Sequence, residues 1–324
     1  MRAALVTEIG RLPELGEAPE PARGAGEALV RVLAVPLNPI DVNVAAGRFY
    51  GGHPPLPFVA ASEAVGRVVD GESLAAGTLV WAHGAGLGVA RDGVLRELLA
   101  VPEDVLVAVP DGTDPALAGA LGVAGVAGWL PVTYRARVRE GETVLVLGAT
   151  GTVGIVALQA ARLLGAGRIV AAGRRPEALA RARRLGADAV VSLAEDDLAG
   201  ALQEACGGEG PDYVVDPLWG EPVAAAARAA ARGARIVNIG QSAGAVAPLA
   251  SADVRGKQLE ILGYSNFGTP REVMDREYLR LLEHAAAGEV EVEIERFPLE
   301  RLAEAWQRQA DGAGAKIVVE VAGA

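Results

Sequence analysis

The chain has 324 residues and a formal net charge of −11; 51% of the residues are hydrophobic and only 4% aromatic. That length suits two domains, each with its own core, and that charge argues against nucleic acid or an anionic membrane as a partner. The single cysteine, Cys206, excludes an internal disulfide and a four-cysteine zinc site.

In chain order, Met1–Glu8 lacks the apolar core of a signal peptide, and no uninterrupted apolar run is long enough to span a membrane, so a cytoplasmic location is expected. The first hundred residues predict short strands at Ala3–Thr7, Ala28–Val35, Ala64–Val69, Leu79–Ala82 and Val94–Val101. The Pro- and Gly-rich stretches Pro19–Gly26 and Gly51–Pro57 separate them, a pattern of a compact antiparallel, barrel-like domain. Leu37-Asn-Pro-Ile-Asp-Val-Asn43 reads as an Asn-Pro turn capping a helix. Glu63 sits in an otherwise apolar segment and is expected to be buried and paired. His53, His83 and His284 are isolated from other ligand types and read as structural or surface residues.

Near Asp114 the pattern changes. A helical segment over Pro115–Arg137 leads into strands at Thr143–Leu147, Arg168–Ala172, Ala189–Val191, Tyr213–Val215, Ala234–Ile239 and Leu259–Gly263. Helices over Thr152–Leu164, Pro176–Leu185, Asp196–Cys206 and Pro222–Ala231 alternate with them, which predicts a doubly wound parallel sheet. Within it, Val144-Leu-Val-Leu-Gly-Ala-Thr-Gly-Thr-Val-Gly154 reads as strand, glycine turn and helix start, an arrangement that offers backbone N–H groups to a pyrophosphate. Against the Gly-x-Gly-x-x-Gly fingerprint the first glycine is Ala149; Gly151 lets the pyrophosphate approach and Gly154 lets the helix pack closely. The next strand ends in Gly173, Arg174 and Arg175, where an NAD-binding chain carries a carboxylate for the ribose 2′-hydroxyl. Two guanidiniums there suit a 2′-phosphate, so NADP is the expected cofactor.

After Tyr264 come a charged helix (Arg271–Ala287), a strand (Val292–Phe297), a helix (Leu299–Ala310) and a last strand (Lys316–Val321). This tail is too short for a third domain and is expected to complete the first. The predicted organisation is a β-rich substrate domain from residues 1–113 and 265–324, with an inserted nucleotide-binding domain at 114–264 and a cleft between them.

These residues carry a family resemblance over essentially the whole chain. Asn38-Pro-Ile-Asp41, the Pro-rich run into Glu63-Ala-Val-Gly66, the Gly148–Gly154 turn, Leu185-Gly-Ala-Asp188, the strand end at Asp216, Asn238-Ile-Gly240 and Gly314-Ala-Lys-Ile-Val318 resemble the medium-chain dehydrogenase/reductase superfamily. The likeness is greatest to its zinc-free, zeta-crystallin-like quinone oxidoreductase branch. It implies a Rossmann domain inserted in a GroES-like barrel domain. It also implies that the zinc ligands of the alcohol dehydrogenases are replaced, with Asn38 where they have Cys, Ser62 where they have His, and Val123 at the third place. Without that Lewis acid, a quinone or an α,β-unsaturated carbonyl compound is the expected acceptor, because the incoming charge spreads into an enolate or hydroquinone anion.

The resemblance assigns the cofactor to Gly148, Ala149, Thr150, Gly151, Thr152 and Val153 at the pyrophosphate, to Gly173, Arg174 and Arg175 at the 2′-phosphate, and to Asp216, Pro217 and Leu218 near the ribose. Asn238, Ile239, Gly240, Ser265, Asn266 and Phe267 are assigned to the nicotinamide side. The substrate side is expected to include Asn38, Asn43, Phe49, Tyr50 and Trp129, with Asn38, Asp41, Asn43 and Tyr50 as catalytic candidates and no metal. Asn43 stands where many members of the branch have Tyr, which leaves the proton donor open. An enoyl-thioester or enone reductase and a non-catalytic NADPH-binding sensor or structural protein are the alternatives. An apolar edge strand at Leu259–Gly263 predicts a homodimer, with these strands antiparallel across a twofold axis.

Overall fold

The computed structural model describes residues 1–312 and 314–321. Contacts divide the chain into two units, Met1–Val123 with Val292–Ala324, and Ala124–Glu291. In the first unit the short apolar runs form β1 (Arg2–Val6), β2 (Glu14–Glu17) and β3 (Glu27–Pro36), then α1 (Pro39–Ala45). They continue as β4 (Phe58–Val59), β5 (Glu63–Asp70), β6 (Leu79–His83), β7 (Leu98–Pro102), β8 (Leu106–Ala108) and α2 (Pro115–Ala120). Asp114 caps α2 by accepting the Ala116 N–H, and Pro115 opens it at a position that needs no N–H.

The second unit begins with α3 (Val123–Leu130) and a π-helical turn at Pro131–Arg135. It then alternates β9 (Thr143–Leu147), α4 (Thr152–Leu163), β10 (Arg168–Gly173), α5 (Pro176–Arg184), β11 (Ala189–Ser192), α6 (Leu198–Ala205) and β12 (Tyr213–Asp216). It ends with α7 (Gly220–Ala229), β13 (Arg235–Asn238), α8 (Ser251–Lys257), β14 (Glu260–Gly263) and α9 (Arg271–Ala286). The chain then returns to the first unit with β15 (Ile294–Pro298), α10 (Leu302–Ala310) and β16 (Lys316–Glu320).

The first unit holds a three-stranded sheet ordered β2-β1-β4 and a larger sheet ordered β15-β16-β3-β5-β6-β8, with β7 also on β3. Val30, Val32, Phe58, Leu95, Phe297, Trp306 and Ile317 are among the residues of its core. The second unit is one parallel sheet ordered β11-β10-β9-β12-β13-β14. Val144, Leu145, Val146 and Leu147 of β9 are all fully buried, as a strand covered on both faces requires. The strand order reverses between β9 and β12, and the carboxyl ends beside such a switch point form the ligand crevice of doubly wound sheets.

Three expectations are corrected. The divisions fall at 123/124 and 291/292 rather than at 113/114 and 264/265. The reason is that α2 packs on β3, β5 and β16 of the first unit, whereas α9 is held within the second. The segment Pro115–Arg137 is not one helix: it breaks at Leu121-Gly122, where a Cβ on Gly122 would overlap a Glu63 carboxylate oxygen and the following N–H, of Val123, donates to that oxygen. Finally, β2, β8 and α8 were not expected; β2 is polar, mostly exposed and lies at a sheet edge, so it carries no hydrophobic period.

Candidate active site

In the second unit every expected cofactor residue falls at or just beyond the carboxyl end of a parallel strand. Gly148–Val153 follow β9, Arg174 and Arg175 follow β10, Pro217 and Leu218 follow β12, Ile239 and Gly240 follow β13, and Ser265–Phe267 follow β14. The turn after β9 has a separate reason for each glycine. Gly148 has φ +60°, a conformation that glycine adopts without penalty. A Cβ on Gly154 would lie 2.6 Å from both Ala149 Cα and the Gly148 carbonyl oxygen, so α4 packs on the turn only with hydrogen there. A Cβ on Gly151 would meet no protein atom within 4 Å. Gly151 is the N-cap of α4 and makes no side-chain cap, so the first N–H groups of that helix, including those of Thr152 and Val153, point out beside this open space. The residues present therefore fit a pyrophosphate. Ala149 departs from expectation: it is fully buried, and its N–H donates to the Ala172 carbonyl at 3.0 Å, so it ties β9 to β10 and is not a phosphate donor.

Asp216 is likewise a builder of the site. Its Oδ1 accepts the N–H groups of Leu218 (3.0 Å) and Trp219 (2.8 Å), and its Oδ2 accepts from Asn238 Nδ2 at 2.9 Å. Burial pushes its carboxyl above the ordinary value, and these three donors act against the rise. The tight turn that results holds Trp219 at φ +56°, an outlier for a bulky residue that no local sequence pattern announces. Asn238 Nδ2 also donates to the Gly240 carbonyl at 2.7 Å, and the Ile239 N–H donates to the Asp216 carbonyl at 2.8 Å, so the ends of β12 and β13 are fastened together. Ser265 caps the turn after β14 by accepting the Phe267 N–H, Asn266 Oδ1 accepts from the Tyr264 hydroxyl at 2.8 Å, and Phe267 is exposed. Trp129, expected on the substrate side, is instead buried within this unit; its Nε1 donates to Glu277 at 3.1 Å and its ring lies against His284.

In the first unit Asn38 and Asp41 come together, but inside the protein. Asp41 is the third residue of α1 and accepts the Asn38 N–H at 2.7 Å and the Ser62 hydroxyl at 2.7 Å. Asn38 Nδ2 donates to Glu63 at 2.7 Å, and Lys316 Nζ donates to Asn38 Oδ1 at 2.5 Å and to the Leu37 carbonyl at 2.8 Å. Glu63 also accepts from Trp81 Nε1 and the Val123 N–H, both at 2.8 Å. Burial is the main influence on each charged member: it pushes Asp41 up to about 6, raises Glu63 and lowers Lys316, with the opposite charges pulling back. Asn38 and Asp41 are thus buried members of an internal hydrogen-bonded network. Asn43 and Tyr50 lie outside this network: Asn43 accepts from Arg48, and Tyr50 is highly exposed against the Phe49 ring. Lys316 and Trp81 are the members that sequence reading missed. Both lie in strands of otherwise apolar pattern, Trp81 on the strand paired with that of Glu63 and Lys316 far away in sequence, and the motif that contains Lys316 gives no hint of its partners.

The alcohol-dehydrogenase relatives of the resemblance imply a zinc ion at Asn38, Ser62 and Val123, and the residues here do not fit one. Asn38 and Ser62 are weak donors already bonded to neighbours, and the Lys316 ammonium sits on the Asn38 oxygen that a cation would need. Among the described residues no group of three or more His, Cys, Asp and Glu side chains is arranged to hold a metal.

A parallel sheet with an open glycine turn at its switch point, borne on the same chain as a GroES-like β-unit, marks the class as a nicotinamide-dependent oxidoreductase, and known proteins agree. The family profile described as alcohol dehydrogenase GroES-like domain matches residues 24–111, and that described as zinc-binding dehydrogenase matches residues 152–284. Quinone oxidoreductase-like protein 2 of Mus musculus is 29% identical over 266 residues, covering 81% of this chain and 74% of the relative. The quinone oxidoreductase of Thermus thermophilus, solved also in complex with NADPH, is 29% identical with a TM-score of 0.81 over 99% of this chain and 100% of its own. A solved NAD-dependent alcohol dehydrogenase is 28% identical with a TM-score of 0.89 over the same shares. The chain belongs to the medium-chain dehydrogenase/reductase superfamily, with quinone oxidoreductase-like proteins among its relatives.

Proposed function

We propose that this protein is a cytoplasmic, zinc-independent, NADPH-dependent reductase of quinones or α,β-unsaturated carbonyl compounds, assembled as a homodimer. The observation that carries the reading is the end of β10: Gly173 is followed by two exposed arginines and no carboxylate, next to a glycine turn open to a pyrophosphate. The Thermus relative solved with NADPH supports this choice, and the NAD-dependent relative of equal likeness shows that the fold alone does not make it.

In this reading the first turn of α4 holds the pyrophosphate, Arg174 and Arg175 hold the 2′-phosphate by charge-assisted bonds, and the Asp216–Asn238 fastening keeps the strand ends in place for the ribose and nicotinamide. When bound, the nicotinamide supplies a hydride. The acceptor takes that hydride and afterwards a proton, which solvent delivers, since Asn43 donates hydrogen bonds but releases no proton. The zinc-ligand positions are occupied by an internally bonded amide, a hydroxyl and a valine, and a lysine ammonium sits on the amide oxygen. The protein therefore contributes positioning, and acceptors that delocalise their own charge are the ones served.

The test is oxidation of NADPH and of NADH by purified protein with a benzoquinone, a cyclic enone and an enoyl thioester. Turnover is expected with the first two and with NADPH over NADH. Turnover confined to the thioester assigns the enoyl reductase alternative, and binding of NADPH without any turnover assigns the non-catalytic one.

A further inference from the structure

Arg181, on the second turn of α5, stands beside the proposed 2′-phosphate position without belonging to the glycine turn or to the Gly-Arg-Arg strand end. Side chains on a helix lean toward its N-terminus, so Arg181 runs back toward the end of β10. One turn earlier on that face are Ala178, which carries only a methyl, and the exposed Glu177. The guanidinium reaches the turn after β9, where Nη2 donates to the Thr150 carbonyl at 3.3 Å. Thr150 in turn lies so close to the end of β10 that a Cβ on Gly173 would stand 2.5 Å from its methyl. The turn, the strand end and the Arg181 side chain are thus one packed group.

Arg175 and Arg184 bring like charge to Arg181. Burial, and then repulsion from Arg175 and Arg184, hold its pKa below the ordinary arginine value. Arg174 and Arg175 are exposed, whereas Arg181 is half-buried and has already lost part of its water. An anion at this point offsets the mutual repulsion of these arginines, and the half-buried member gains most because solvent screens it least.

We infer that Arg181 is a third cation for the adenosine 2′-phosphate and the principal residue by which this chain distinguishes NADPH from NADH. The inference rests on the NADPH reading above. The Thr150 carbonyl holds the planar guanidinium in a fixed orientation, and such a pre-set fork of donors suits bidentate contact with a phosphate.

Calorimetric titration of Arg181→Gln, Arg181→Lys and the Arg174→Ala/Arg175→Ala double variant with 2′,5′-ADP and with 5′-AMP tests it, thermal melts confirming that each variant is folded. The wild-type protein is expected to prefer 2′,5′-ADP. Arg181→Gln should weaken 2′,5′-ADP by about tenfold or more and leave 5′-AMP within about twofold, and Arg181→Lys should restore part of the loss. Equal weakening of both ligands overturns the inference, because Arg181 then only braces the turn through Thr150. Undiminished 2′,5′-ADP binding in Arg181→Gln, with the loss appearing in the double variant, overturns it while leaving the NADPH reading standing. Absence of any preference in the wild-type protein removes both.

Discussion

Gly151 and Gly154 share one turn and are glycine for opposite reasons. The Cβ that Gly154 lacks would collide with backbone of Gly148 and Ala149, whereas the one Gly151 lacks would enter space that no protein atom fills. Gly154→Ala is therefore expected to cost about 1–3 kcal/mol of stability by overpacking. Gly151→Ala should melt close to the wild-type temperature and yet bind NADPH at least about tenfold more weakly; thermal melts and a cofactor titration read the two effects separately. Asp41 gives a prediction in pH. Its carboxyl rises from the ordinary 3.8 to about 6 in the folded protein. Between those values the folded chain keeps a proton that the unfolded chain has released. The stability this group contributes is complete below about pH 4 and is lost as pH rises through about 6. The difference in unfolding free energy between wild type and Asp41→Ala should therefore shrink from pH 4 to pH 7 in urea titrations. A difference that grows over that range would mean that Asp41 is held ionised by its donors and by Lys316.

At the scale of elements, β14 is the end strand of the parallel sheet. The N–H groups of Glu260 and Tyr264 donate inward to the carbonyls of Ala234 and Asn238, so by alternation those of Ile261 and Gly263 point away from β13. Ile261→Pro removes an outward donor and leaves the pairing to β13 intact. If a twofold mate pairs along this edge, light scattering should give a dimer mass for wild type and a monomer mass for the variant, at unchanged helix and strand content by circular dichroism. A monomeric wild type at micromolar concentration discards the dimer. The parallel strands were the most legible elements: β9 matches its expected limits, and β10 to β14 match within a residue or two, because continuous Val, Leu and Ile runs between glycines leave little else to read. The nucleotide turn was legible too, since its glycines are a local pattern. Legibility failed where a partner distant in sequence decides. The Gly122 break answers to Glu63, and Trp129 looked available for a substrate until Glu277 accounted for its indole N–H. Lys316 stands alone among apolar neighbours in sequence, and only the pairing of β16 with β3 brings it to Asn38.

Over the whole molecule, ligand linkage offers a test of cofactor choice that needs no substrate. A ligand at one hundred times its dissociation constant stabilises the form that binds it by about 2.7 kcal/mol. Equal concentrations of NADPH and NADH should therefore raise the melting temperature unequally, the larger shift belonging to NADPH. A larger shift with NADH would reverse the proposed preference. The placement of β16 also bears on how the chain is made. This strand lies between β15 and β3 in the larger sheet of the first unit, and its Lys316 meets Asn38 across 278 residues of sequence. At about 5–20 residues per second, a ribosome delivers Lys316 roughly 15–55 s after Asn38. Until then β3 lacks its partner on one side, and Glu63 and Asp41 lack the ammonium that faces them. The middle of the chain, by contrast, has emerged with its six strands complete. The half made first is thus finished last, and a nascent chain stalled before Val292 would carry a closed nucleotide unit behind an N-terminal sheet still open to proteases and chaperones.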